Sequence, residues 1–176
     1  YSKVEQLYAI DVAGGAVTKD RHIVVMEGYT DVIMAHQHGI KNAVAVCGTA
    51  IGPQNVRPRS LLRRYADRVT LVLDGDDAGK NTANKVMELF VAEQVDLRIA
   101  TLPEGLDPWD CLQQRGAEEF AGLIETAPDA LQHSLNSALA GTDVTSDTHA
   151  ASQALESILA RIAKAPRLSS APETSL

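Results

Sequence analysis

Aromatic side chains are scarce in this chain: four Tyr, two Phe and one Trp among 176 residues, or 4%. A core with so few rings must be filled by Leu, Ile, Val and Ala, and apolar residues make up 45% of the sequence. Cysteine is rarer still. Cys47 and Cys111 are the only two, which excludes a disulfide framework and any zinc site built on closely spaced cysteines, and fits a reducing cytoplasm. No apolar run approaches the roughly 20 residues of a membrane span, and no secretory signal pattern opens the sequence. His22, His36, His38, His133 and His149 show no pairing that suggests a zinc ligand set or a general base. Positive charge is also short: 16 Lys and Arg against 23 Asp and Glu give a net charge of -7. Nucleic-acid binders are usually basic, so an acidic balance points instead to a site that needs cations. The length suits one domain, or one domain with a small appendage. Tyr1 is not a methionine, and the chain reads as a piece of a longer protein.

Four short apolar stretches, Ile23–Met26, Ala43–Cys47, Val69–Leu73 and Leu97–Thr101, have the texture of strands buried on both faces of a parallel sheet. Helical patterning lies between them. Ala83, Val86, Met87 and Phe90 form one stripe, and Pro53 suits the first turn of a helix running to about Tyr65. Strands alternating with helices predict right-handed βαβ units. Beyond Pro103, Gly105 and Pro108 the sequence is Ala- and Leu-rich and reads as helix, with a polar linker at Gly141–Asp147 and a second stripe at Leu155, Ile158, Leu159 and Ile162.

Three acidic clusters each follow a predicted strand. They are Met26-Glu27-Gly28-Tyr29-Thr30-Asp31, then Asp74-Gly75-Asp76-Asp77, then Pro103-Glu104-Gly105-Leu106-Asp107-Pro108-Trp109-Asp110. Open parallel sheets bind ligands beyond the carboxyl ends of their strands, so all three fall on the edge where such sheets do chemistry. Asp74 and Asp76 flank one glycine, and carboxylates that close repel unless a cation lies between them. Hard oxygen donors on few residues suit Mg²⁺, which takes the rest of its shell from water and phosphate. An Asp-Gly-Asp turn can equally be turn chemistry plus a helix cap. The joint occurrence of Glu27 and Asp74 at strand ends favours a metal site for phosphoryl transfer. Sharing that site requires strands 1 and 3 to be neighbours, which the order 2-1-3-4 achieves.

The same residues resemble a known family. Val24 through Val32 resembles the first motif of the Toprim domain as found in bacterial DnaG-type primases. Cys47-Gly48-Thr49-Ala50 resembles its turn after the second strand, Leu73 through Gly79 its Asp-x-Asp motif, and Leu102 through Pro108 its Leu-Pro-x-Gly-x-Asp-Pro segment. Tyr1-Ser2-Lys3 with Leu7-Tyr8-Ala9-Ile10 resembles the primase lead-in. One departure is Asp107-Pro108-Trp109-Asp110, where many primases have Asp-Pro-Asp.

The resemblance implies a Toprim-type α/β fold: a four-stranded, mainly parallel sheet flanked by helices, followed by a small helical subdomain. It divides the chain into a lead-in from an upstream basic subdomain (1–21), a metal-binding domain (22–103), a helical subdomain (104–165) and a disordered tail (166–176). It implies Mg²⁺ or Mn²⁺, more than one ion, held by Glu27, Asp74, Asp76 and Asp107. Asp31 supports Glu27 in catalysis, and Lys3 contacts template or nucleotide phosphate. Lys80, near a predicted helix start, could meet a phosphate too. The implied reaction is synthesis of RNA primers on single-stranded DNA from ribonucleoside triphosphates in the bacterial cytoplasm. The implied helicase contact, and the zinc module, belong to regions outside this chain. Rival readings are a Toprim nuclease and a non-catalytic recombination module. Arg57, Arg59, Arg63, Arg64 and Arg68 read as a solvated, salt-bridged face, and Trp109 as a packing residue between the sheet and the helical segment, with base stacking as the minor alternative.

Overall fold

The structure, a computed structural model, describes residues 7–46, 64–74 and 95–140 together with positions 152, 156, 159 and 160. The expected helical stripe at 83–90, most of the helix from Pro53, the linker at 141–147 and the tail lie outside the described residues.

The described elements are α1 (Ile10–Asp20), β1 (His22–Met26), α2 (Tyr29–Gln37), β2 (Ala43–Ala45), β3 (Arg68–Leu73), β4 (Asp96–Thr101), α3 (Pro108–Glu125) and α4 (Ala130–Leu139). The four strands form one sheet in the order β2-β1-β3-β4, with every pair parallel. Both the strands and their order match the reading of the sequence.

Alternation along the strands sorts the core into two layers. Ile23, Val25, Val44, Val69, Leu71, Leu97 and Ile99 point to the face covered by α1 and the start of α4. Val24, Met26, Ala43, Ala45, Val72 and Ala100 point to the face covered by α2 and α3. Each fully buried aliphatic or aromatic side chain contributes about 1.5–3 kcal/mol by leaving water, and both faces of β1 are wholly buried. That is why these strands are continuously apolar rather than alternating.

Helix α1 lies in the stretch read as a lead-in. It contains Gly14-Gly15, and each mid-helix glycine costs roughly 0.5–1 kcal/mol against alanine. Burial of Ala13 and Val17 one turn apart against the sheet offsets that cost. Arg21 closes the helix in a left-handed conformation, φ 51°, its N–H donating to the Val17 carbonyl at 2.8 Å. Its guanidinium grips Asp67 at 2.7 and 3.2 Å and donates to the Tyr65 carbonyl at 3.1 Å, tying the starts of β1 and β3. Arg68 and Arg98 both donate to Asp96, at 3.0 and 3.3 Å, so Arg68 takes the salt-bridged role expected of it.

Helix α3 begins on Pro108, which lacks only an N–H that would be orphaned there anyway. It breaks at Gly116, where φ 84° and ψ 170° suit glycine. Beyond the break, Phe120 and Ile124 share a cluster with Val24 and Met26, so the segment placed after residue 103 supplies a layer of the same core. The described histidines make hydrogen bonds within the fold: buried His22 Nε2 meets Thr70 Oγ1 at 2.9 Å, His36 donates to the Ala43 carbonyl at 2.9 Å, His38 to the Met34 carbonyl at 3.0 Å, and His133 meets Thr101 at 3.0 Å.

Phe120 is fully buried. Phe120→Ala is therefore expected to destabilise the chain by about 3–5 kcal/mol in a urea melt. Val12→Ala on exposed α1 surface, where Val12 is 68% exposed, should stay within about 0.5 kcal/mol of the parent. Similar costs at the two positions would contradict the layer assignment.

Candidate metal centre at the carboxyl edge of the sheet

The β1–β3 register pairs Val25 with Leu71. Carried two residues on, it sets Glu27 level with Leu73, so Glu27 and Asp74 leave neighbouring strands one residue apart. Hydrogen-bonded strands lie about 4.8 Å from each other. The β3–β4 register pairs Leu73 with Thr101 and brings the Leu102–Asp107 segment to the same edge. The side chain of Glu27 is exposed and that of Asp74 half-buried.

Asp31 ties this edge together. Gly28 caps α2 with extended backbone, φ -95° and ψ 146°, and Asp31 stands at the third helical position. Its carboxylate accepts the backbone N–H groups of Gly28 and Trp109. The first of these bonds is the reciprocal half of a capping box. The second joins the start of α2 to the start of α3. A Cβ at residue 28 would sit 2.6 Å from Asp31 Oδ2, so the glycine is demanded by close approach rather than by φ. Burial is the largest influence on Asp31 and raises its pKa above the ordinary carboxylate value. The Asp107 and Glu27 carboxylates raise it further, while the two N–H bonds lower it.

Asp107 caps α3, its Oδ1 accepting the Asp110 N–H at 2.7 Å. The structure therefore gathers Glu27, Asp31, Asp74 and Asp107 at one edge. Lys3, Asp76 and Lys80 lie outside the described residues, as does Cys47. Among the described residues no three His, Cys, Asp or Glu side chains are grouped to hold a metal ion; Glu27 and Asp74 are the two acids at adjacent strand ends with the hard oxygen chemistry that Mg²⁺ prefers.

Trp109 departs from its expected packing role. It is 39% exposed, on the first turn of α3. Tyr8 and Tyr29, motif positions to which the sequence assigns no role, have rings that meet edge to face with centroids 6.2 Å apart. Their exposure, 42% and 57%, has no local signature in the sequence.

Residues 21–101 match the Toprim domain family. The chain is 34% identical over 146 residues to the DNA primase of Streptomyces coelicolor, covering 82% of this chain and 23% of that protein. It superposes on the RNA polymerase domain of Mycobacterium tuberculosis primase DnaG, solved in complex with double-stranded DNA, with a TM-score of 0.77 and 31% identity, over 92% of this chain and 52% of that one. A DnaG primase catalytic domain bound to single-stranded DNA matches with a TM-score of 0.74 and 27% identity, over 96% of this chain and 54% of that one. The chain spans about a fifth to a quarter of the length of the curated relatives it matches. The match to the Toprim family, the relatives in sequence over most of the chain and the shared sheet architecture agree, and the chain belongs to the DnaG-type primases, whose Toprim domain it carries.

Proposed function

We propose that this chain is the metal-binding part of a primase that builds RNA primers on single-stranded DNA from ribonucleoside triphosphates, a nucleotidyl transfer. The observation that carries the reading is the juxtaposition of Glu27 and Asp74 at the ends of the two central strands, in a chain whose relatives are DNA primases. The DNA-bound neighbours support a DNA partner. A helicase partner, if this protein follows its family, is reached through regions outside this chain. No described helix is long and apolar enough to cross a membrane.

In this reading Glu27, Asp74 and Asp76 hold Mg²⁺ or Mn²⁺, with Asp107 supporting. Bound there, the ions supply charge stabilisation for the phosphoryl oxygens and lower the pKa of the attacking hydroxyl. The protein's own contribution is placement. Parallel pairing fixes where Glu27 and Asp74 emerge, and Asp31 holds the starts of α2 and α3 in register beside them. Lys3 and Lys80 would meet nucleotide or template phosphate. The division at residues 21, 103 and 165 remains part of the proposal.

Asp74→Asn removes a charged ligand and keeps the shape. In the full-length enzyme it is expected to lower primer synthesis on single-stranded DNA by on the order of a hundredfold or more, with the fold retained by circular dichroism. Normal priming by a folded Asp74→Asn enzyme would overturn the metal assignment, and cleavage of DNA by the parent without primer extension would establish a nuclease instead.

The crowding of acids also sets a pH signature. Because folding raises the pKa of Asp31, ionising it opposes folding; the cost is absent below the unfolded-state value and fully present above the folded-state value. Asp31→Asn forfeits some hydrogen bonding at every pH but escapes this charge cost. Its stability relative to the parent, in buffer with a metal chelator, is therefore expected to improve from about pH 4 to pH 7. A difference independent of pH would show that folding does not raise the pKa of Asp31.

A further inference from the structure

The described residues include five aromatics. Phe120 is buried and Tyr65 is half-buried, while Tyr8, Tyr29 and Trp109 are the exposed ones. All three exposed rings belong to the carboxyl edge of the sheet. Tyr8 is pinned to the last residue of β2, its N–H donating to the Ala45 carbonyl at 2.8 Å and its carbonyl accepting the Ala45 N–H at 3.2 Å. Tyr29 is the first residue of α2, two positions from Glu27. Trp109 follows the first residue of α3, its N–H donating to the Asp31 carboxylate. Among the described residues, the exposed rings thus lie around the acids.

The geometry points to a stacking site: we propose that the Tyr8–Tyr29 pair holds an unpaired nucleobase beside the acidic edge, with Trp109 on its flank. The inference rests on the primase reading above and adds positioning residues to it. Three observations favour a base. The tyrosine rings meet edge to face, 63° between planes, an arrangement that fixes both without stacking their faces on each other. Both backbones are anchored by the sheet edge or a helix start, so little freedom is lost on binding. The surroundings are acidic, so phosphate without a cation is repelled, whereas the neutral face of a base is not. Base–aromatic stacking contributes about 1–3 kcal/mol per base and tolerates any sequence. Exposed rings would also suit a protein partner, and the test separates the two.

The base belongs either to the template strand or to a nucleoside triphosphate, and two pairs of probes distinguish them. The full chain in Mg²⁺ buffer is titrated with oligothymidylate and with an abasic strand of the same length, then with ATP and with ribose 5-triphosphate. In at least one pair the base-bearing probe is expected to bind more tightly by on the order of tenfold, the size of one stack; the pair that shows it names the source. Tyr29→Leu, which keeps an apolar surface without a π face, should erase the difference, and Tyr29→Phe should restore it. Equal affinity within both pairs, or a leucine variant equal to the phenylalanine one, overturns the stacking site and leaves the primase reading standing. If Tyr29→Leu alters sedimentation while the base preference persists, the patch is a protein-docking face and the proposal fails. If the parent binds none of the four probes, the stacking site falls, and the primase reading is decided by primer synthesis in the full-length enzyme.

Discussion

The parallel pairing of β1 with β3 is the constraint on which the rest of this structure depends. A parallel sheet has polarity, and all its strands end on the same edge. Placing the first and third strands side by side, with β2 and β4 outside, turns two acids separated by 47 positions of sequence into near neighbours. Glu27 and Asp74 owe their proximity to nothing local. Had the strands paired in chain order, β2 would stand between them and the two carboxylates would be about one strand spacing further apart, roughly 4.8 Å more, too far to share one ion.

That arrangement has a cost, and the distribution of charge shows how it is met. At the strand starts, Arg21 pairs with Asp67, and Arg68 and Arg98 share Asp96. These exposed pairs contribute little stability individually, but they balance charge there and let the net excess of acid fall elsewhere. At the strand ends, Glu27 and Asp107 both disfavour ionisation of Asp31. Two backbone N–H groups, at helix starts that carry partial positive charge, hold Asp31 in place against that repulsion.

The sheet was legible because buried parallel strands leave a plain mark, short runs with no polar interruption, as in Val69–Leu73 and Ile23–Met26. The acids were legible because they follow those runs directly. Other features were hidden for identifiable reasons. Helix α1 buries only the small side chains Ala13 and Val17 deeply and contains a Gly-Gly pair, so its stripe is faint and its propensity poor; tertiary packing overrides both. Gly116 breaks α3 through a backbone angle rather than through any disruption of apolar spacing. Trp109 reads as a packing residue between the sheet and the helical segment, yet on the first turn of α3 it is 39% exposed. Asp31 reads as a supporting acid, and its bond to the Trp109 N–H could not be foreseen because that contact joins residues 78 positions apart on two helices.

Asp31 illustrates how one residue can join two helix starts. A carboxylate at the third position of a helix caps the preceding N–H in many proteins, with no catalytic implication. Here the same oxygen atoms also reach the start of α3, whose cap, Asp107, is itself one of the acids. Moving Asp31 would therefore disturb the placement of Asp107 and of the loop carrying Glu27 together. The glycine at 28 belongs to the same device, since any side chain there would occupy the space that the Asp31 carboxylate fills. The acidic edge is held together from within by a half-buried carboxylate, which leaves Glu27 at the surface, where an ion and its phosphate ligand could reach it.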